Sequence, residues 1–173
     1  DQMGEEIKAQ CGTTLRADCG GLTQCLVWGD RVMAEQICFH LLSNALHAVA
    51  PGGSITVGLC RTEQDVTLFV EDDGCGLPEG ESWLENRRRF LGGAQAGLLL
   101  CRRYCRQLGW ELALLPRSPQ GARAELKLPL PARSVPIEAT VEFRSSADRT
   151  PTALQHQLRR ELYLLTRKTP LSD

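Results

Sequence analysis

Residues 32–49 carry apolar side chains at Val32, Met33, Ile37, Leu41, Leu42, Ala45 and Val49, the three-and-four spacing that lays one stripe along a helix. Asp30 stands ahead of the run as an N-cap, and Pro51-Gly52-Gly53 stops it. A long amphipathic helix must bury its stripe, and the flanking chain offers strands to bury it against. Residues 22–28 (LTQCLVW) read as a strand, and 54–61 and 65–70 alternate as a hairpin joined by the polar Thr62-Glu63-Gln64. A second helical pattern runs over 98–108 and ends at Gly109. A second hairpin follows, with 110–115 and 122–130 joined across PRSPQG. The order strand, helix, two strands, loop, helix, two strands predicts an α+β fold: a two-layer sandwich, a mixed and mostly antiparallel sheet with helices on one face.

At 173 residues the chain suits one main domain. Residues 21–131 hold the patterned elements. Residues 1–20 are expected to be a linker or the end of a preceding helical region, and 132–173 a C-terminal extension. Within that extension VPIEATVEF reads as a strand, RSSADRTP as a linker and 152–168 as an amphipathic helix. Twenty basic and 21 acidic residues leave a net charge of −1, which gives no electrostatic case for nucleic acid or a membrane surface. No apolar run approaches the ~18 residues of a membrane-crossing helix. There are eight cysteines but no Cys-x-x-Cys, and Cys38, Cys60, Cys101 and Cys105 lie inside apolar patterns. They read as reduced, buried small hydrophobes rather than disulfides or metal ligands, in keeping with a cytosolic setting.

Three segments carry chemistry. In VEDDGCGL, residues 70–77, two aspartates follow an apolar strand and meet two glycines. Taken alone this is also what a tight turn looks like. In FHLLSNALHAVAPGG, residues 39–53, Asn44 sits in a turn otherwise built of Leu, Ala and Ser. A buried amide there must find a partner or a ligand, and a core hydrogen bond would satisfy it equally well. In GGAQAGLLLCRRYCRQLGW, residues 92–110, small residues lead into a helix.

Together the three segments resemble the N, G1 and G2 boxes of the ATP-binding catalytic domain of sensor histidine kinases, within the GHKL (Bergerat-fold) ATPase superfamily. The resemblance covers about 22–130. It implies that Asn44 coordinates Mg²⁺, and that Asp72 reads adenine, whose exocyclic NH₂ suits an acceptor-only carboxylate. Gly74 and Gly76 would then pass close to the purine, where a Cβ would collide. Asp73 takes the variable, solvent-side place. Gly93 and Gly97 match the outer glycines of the phosphate-holding lid, beside a helix N-terminus. His47 takes the place of a phosphate-contacting Lys or Arg, though a lone surface His would look the same. His40 falls where kinases commonly carry Asn and the chaperone and topoisomerase relatives a water-activating Glu. A His there can face phosphates or metal, and without the Glu rapid hydrolysis to water is not expected.

The departures from the family pattern lie in the lid. Gln95 replaces its middle glycine and has a Cβ, which disfavours positive φ, and Ala96 replaces the usual Leu. The loop between Gly76 and Gly93 is short, with Trp83, Leu84 and Phe90 as poor matches to the aromatic anchor. Arg87-Arg88-Arg89 either contacts phosphates or forms a solvated surface. No helical hairpin with a phosphoacceptor is visible, and His156 in TALQHQLRREL is explained as well by an amphipathic helix.

The expected function is to present Mg²⁺-ATP for phosphoryl transfer to a histidine on a dimerisation domain outside this chain, with a response regulator downstream. The setting would be cytoplasmic, as a free domain or as the cytoplasmic part of a membrane-bound sensor, with no membrane contact by the domain itself. Two alternatives stay open: a degenerate Bergerat module acting as a docking surface, and a serine-directed kinase of the anti-sigma-factor kind.

Overall fold

The structure, a computed structural model, describes residues 12–20, 22, 24–77, 93–130 and 140–144. The elements are β1 (Thr14–Asp18), β2 (Gln24–Trp28), α1 (Arg31–Ala48), β3 (Ser54–Arg61), β4 (Asp65–Asp72), α2 (Gly93–Leu108), β5 (Glu111–Pro116), β6 (Ala122–Pro129) and β7 (Thr140–Arg144). Five strands form one sheet in the order β1-β3-β4-β6-β5. β1 runs parallel to β3, and the remaining neighbours are antiparallel. This is the mixed, mostly antiparallel sheet expected for a two-layer α+β sandwich.

Strand alternation sorts the two faces. Ile55 of β3, Val66, Leu68 and Val70 of β4, and Ala124, Leu126 and Leu128 of β6 form one core cluster with the helices. From α1 come Ile37, Leu41 and Ala45, and from α2 Cys101, Cys105 and Leu108. Phe69 points the other way, where the Arg123 guanidinium lies 4.0 Å over its ring. Around it Arg123 and Arg117 pair with Glu71, and Arg123 also with Glu125, so that face is held by a charge network rather than a second core.

α1 begins as its sequence dictates: the Asp30 carboxylate accepts from the Met33 amide at 2.8 Å, relieving one of the unpaired first-turn donors. The junctions before α1 and after α2 meet at Trp110, which is buried and donates its indole N–H to the Trp28 carbonyl at 2.9 Å. Its ring lies against Gly29, where any Cβ would strike it.

Four expectations need correction. Residues 1–20 hold the strand β1, whose half-exposed, polar TLRAD sequence has no strong alternation to announce an edge strand. α2 starts at Gly93 rather than Leu98; Gly97, which read as part of a loop, is helical and lies against His40 of α1. β2 is not part of the main sheet; it pairs antiparallel with β7 as a two-stranded ribbon. The 132–173 extension therefore contributes a strand that is hydrogen-bonded to the domain. Cys60, finally, is exposed near the end of β3. The predicted helix over 152–168 and the 76–93 loop, beyond its first and last residues, lie outside the described residues. Among the described residues, no helix is long and apolar enough to cross a membrane.

Candidate functional site

The EDDGCG stretch straddles the end of β4. Asp72 is the last residue of the strand and is 6 % exposed. Its Oδ1 accepts from the Gly74 amide at 2.9 Å and the Ala122 amide at 3.3 Å. Burial pushes its carboxyl above the ordinary range, and those two amides pull against that rise. Among the described residues Oδ2 takes no hydrogen bond, so one oxygen anchors the side chain and the other is open to a donor. The β5–β6 turn closes against the same residue. Gly121 has φ +112, and a Cβ there would run into the Asp72 carbonyl, so only glycine fits.

Asp73 is half-exposed, as a solvent-side residue would be, but it is not free. Its Oδ1 accepts from the Ser54 amide at 2.8 Å and its Oδ2 from the Ser54 hydroxyl at 2.7 Å. These two bonds, the backbone one first, hold its carboxyl below the usual range. The pair ties the end of β4 to the start of β3. The cause lies nineteen residues away in sequence, beyond what the local pattern carries.

The role expected of Gly74 also changes. A Cβ on Gly74 would collide with the Ala48 carbonyl at the C-terminal end of α1, and the Cys75 amide donates to that same carbonyl at 3.0 Å. Gly74 therefore lets the turn seat on the helix end. Gly76 takes φ +76, with its Cβ direction toward the Gly121 backbone.

His40, Asn44 and Ala48 fall at i, i+4 and i+8, one row along α1. At one end Ala48 meets the Asp72 turn. At the other His40 meets α2: a Cβ on Gly97 would lie 2.7 Å from the His40 Nδ1, and the His40 ring packs edge-on to Phe39 with centroids 5.2 Å apart. Asn44 stands between, about 6 Å of helix rise from either end. Its Nδ2 is buried with no hydrogen-bond partner among the described residues. A buried orphan of this kind is costly, and turning the amide over exchanges its oxygen and nitrogen, so the position suits a ligand with either need.

His47 lies off this row and is exposed. Its Nδ1 donates to the Ser43 carbonyl at 2.6 Å, leaving Nε2 toward solvent. Gln95 lies in the first turn of α2, and no described non-glycine residue has positive φ. The strain foreseen for Gln95 is therefore absent. Gly93 begins the helix and Gly97 is buried in its second turn, so Gly97 serves a helix–helix approach rather than a flexible loop. Trp83, Leu84, Phe90 and Arg87–Arg89 lie outside the described residues. Sequence reasoning missed Ser54, Gly121 and the Ala122 amide. Gly121 had shown only as part of a hairpin turn.

Comparison with known proteins gives one consistent family. The profile of the "Histidine kinase-, DNA gyrase B-, and HSP90-like ATPase" family matches residues 29–132. Among curated proteins, the alginate biosynthesis sensor protein KinB of Pseudomonas aeruginosa is 35% identical over 107 residues, 58% of this chain and 18% of that protein. Sporulation kinase C of Bacillus subtilis is 24% identical over 116 residues, 64% of this chain and 26% of that protein. Among solved structures, the catalytic domain of histidine kinase ThkA in a nucleotide-free form superimposes with a TM-score of 0.64 at 20% identity, covering 74% of this chain and 86% of that one. The mycobacterial sensor histidine kinase MprB gives 0.61 at 23% identity, covering 75% and 90%. The chain thus spans about a fifth to a quarter of the length of these two curated relatives.

Proposed function

The chain belongs to the histidine kinase-, DNA gyrase B- and HSP90-like ATPase family, as a histidine kinase-type ATPase domain, and we propose that it presents Mg²⁺-ATP for phosphoryl transfer to a histidine on a dimerisation domain of the same full-length protein. The observation that carries this reading is the α1 row. It runs from the base-side turn at Ala48 to α2 at His40, with a buried, unpartnered Asn44 amide at its middle.

In this reading the exocyclic NH₂ of adenine donates to the Asp72 Oδ2, while Oδ1 stays fixed by the Gly74 and Ala122 amides. A carboxylate with one oxygen already committed cannot swing away, so discrimination comes from a preset acceptor. At the far end, the first-turn amides of α2 lack intrahelical partners and carry the positive end of the helix dipole, which suits polyphosphate. Gln95 contributes its backbone there as a glycine would. This weakens one of the two grounds for a degenerate docking module; the other, the short loop before Gly93, lies outside the described residues.

An oxygen-seeking Mg²⁺ fits the Asn44 amide oxygen as a ligand, with His40 one turn away facing the same region. When bound, the ion would neutralise phosphate charge, which is most of what phosphoryl transfer asks of a protein. The chain's own share is positioning: Asp72 fixes the base, Asn44 and His40 line the middle, and the α2 terminus receives the phosphates. In this reading exposed His47 adds a donor at the rim, and Gly93 opens the helix terminus that receives the phosphates. The setting in this proposal is the cytoplasm, and the phosphohistidine then supplies a response regulator.

Calorimetric titration with a nonhydrolysable ATP analogue tests the reading. Binding in the micromolar to millimolar range, stronger with Mg²⁺ than with EDTA and lost in Asp72→Asn, is expected. No heat at millimolar Mg²⁺-nucleotide would overturn it.

A further inference from the structure

Glu71 precedes Asp72 in β4, and successive strand residues point to opposite faces of a sheet. Val66, Leu68 and Val70 face the helices, Asp72 continues that series, and Glu71 follows Phe69 onto the other face. Its carboxylate is thus outside the nucleotide-facing row, yet both of its oxygens are engaged. Oε1 meets the Arg117 Nε at 2.6 Å, and Oε2 meets the Arg123 Nη1 at 2.8 Å. Arg117 directly follows β5 and Arg123 is the second residue of β6, so one carboxylate grips both ends of the β5–β6 turn. Arg123 is fixed from two further sides, by the Glu125 carboxylate at 2.7 Å and by the Phe69 ring 4.0 Å from its guanidinium carbon.

The turn has little else to hold it to β4. From Leu115 to Gln120 no side chain is buried, so no apolar contact seats it. The Arg117 amide donates to the Gly121 carbonyl at 3.1 Å, which closes the turn on itself. In the β4–β6 register Glu71 stands opposite Arg123, and Asp72 opposite Ala122 in the last pair of the ladder. Ends of ladders are where fraying starts. The Ala122 amide reaches the Asp72 Oδ1 at 3.3 Å, long for such a bond, so a small lift of the turn breaks it.

We infer that Glu71 is a positioning residue for base selection. By gripping Arg117 and Arg123 it keeps the Ala122 amide on the Asp72 Oδ1, and so sets the direction of Oδ2, the acceptor for the exocyclic NH₂ of adenine; this rests on the base reading of Asp72. With the Glu71 charge removed the turn lifts, and Asp72 keeps only the Gly74 amide. Its carboxylate then turns more freely and the acceptor loses its aim.

Calorimetry of Mg²⁺-ADP against Mg²⁺-inosine diphosphate, whose base carries a 6-oxo acceptor in place of the NH₂ donor, reads that aim. The 173-residue chain should prefer ADP. In Glu71→Gln and in Arg117→Ala the preference should shrink about tenfold, chiefly through weaker ADP binding. Arg117→Lys should restore it, because the single Arg117 contact is one an ammonium can also make. Without nucleotide, the Ala122 amide should exchange with deuterium about tenfold faster in both weakened variants. The amide of fully buried Leu126 in mid-β6 should keep its rate, which separates a lifted turn from a general loss of stability. ADP and inosine diphosphate weakened by the same factor would make Glu71 merely structural and overturn the proposal, as would an unchanged Ala122 rate. A parent chain without a preference for ADP would bring down the base reading and this inference together. A parent preference that survives Glu71→Gln would overturn this inference alone.

Discussion

At the Asp72 turn the polar groups are nearly all spoken for: one Asp72 oxygen holds two amides, both Asp73 oxygens hold Ser54, and Gly121 closes behind them. One helical turn away along α1, half-buried Asn44 has its amide nitrogen buried and without a partner among the described residues, and the α2 terminus offers first-turn amides without intrahelical partners. The first region is finished by the fold and the second is left for a ligand to finish. A rigid acceptor gives selectivity for a base, whereas a region that must take up charge and release it cannot be satisfied in advance.

The sharpest way to break this contrast is Asp72→Asn. Replacing the open carboxylate oxygen by an amide should weaken nucleotide binding roughly 30- to 100-fold, about 2–3 kcal/mol, measured by calorimetry. The fold should not suffer. Burial raises the Asp72 carboxyl above its ordinary 3.8, so the folded state binds its proton more tightly than the unfolded chain. Ionisation then opposes folding as pH rises above the unfolded value. The neutral variant should accordingly melt no lower than the parent at pH 7.

Asp73 should behave the opposite way. Asp73→Ala removes two bonds to a charged but half-exposed acceptor and, after solvent screening, should cost about 1 kcal/mol of stability at pH 7. Its carboxyl is held below 3.8 by Ser54, so the stabilisation is present above the unfolded value and fades as pH falls through the folded one. Denaturant melts of parent and variant should converge at the acid end. Melts that stay equally far apart from pH 7 down to pH 2 would remove the carboxylate from the account.

Asn44→Ala probes the unfinished region. It should weaken Mg²⁺-nucleotide binding by about tenfold while leaving binding in EDTA nearly unchanged. The melting point should hold or rise, because a buried orphan is removed. The smallest effect belongs to Gln95→Gly. With Gln95 helical, glycine should lower stability by up to ~1 kcal/mol and bring no gain in affinity; a clear gain would return the lid to a strained loop.

The sequence displayed what depends on residue type at short range. The α1 stripe, both hairpins, Asn44 and Asp72 with its glycines were legible because periodicity and unusual polar placement announce them. The rest turned on contacts distant in sequence. Asp73 looked spare because Ser54 was nineteen residues off, and Gly74 looked purine-facing because the end of α1 was out of view. β1 is half-exposed and lacks alternation, and Gly97 reads as part of a loop until His40 of α1 lies against it. The β2–β7 pairing joins strands more than a hundred residues apart, which no local pattern encodes.

Trp110 ties the start of α1 to the end of α2 through the Trp28 carbonyl and the bare face of Gly29. An indole at 4 % exposure with its N–H engaged emits in the blue. It sits where the two helices that carry Asn44 and the α2 terminus are rooted, so a tilt between them would alter its quenching. The domain therefore contains an optical strain gauge: with Trp28 and Trp83 replaced by Phe, stopped-flow emission from that residue reports any movement of the helices when nucleotide is added.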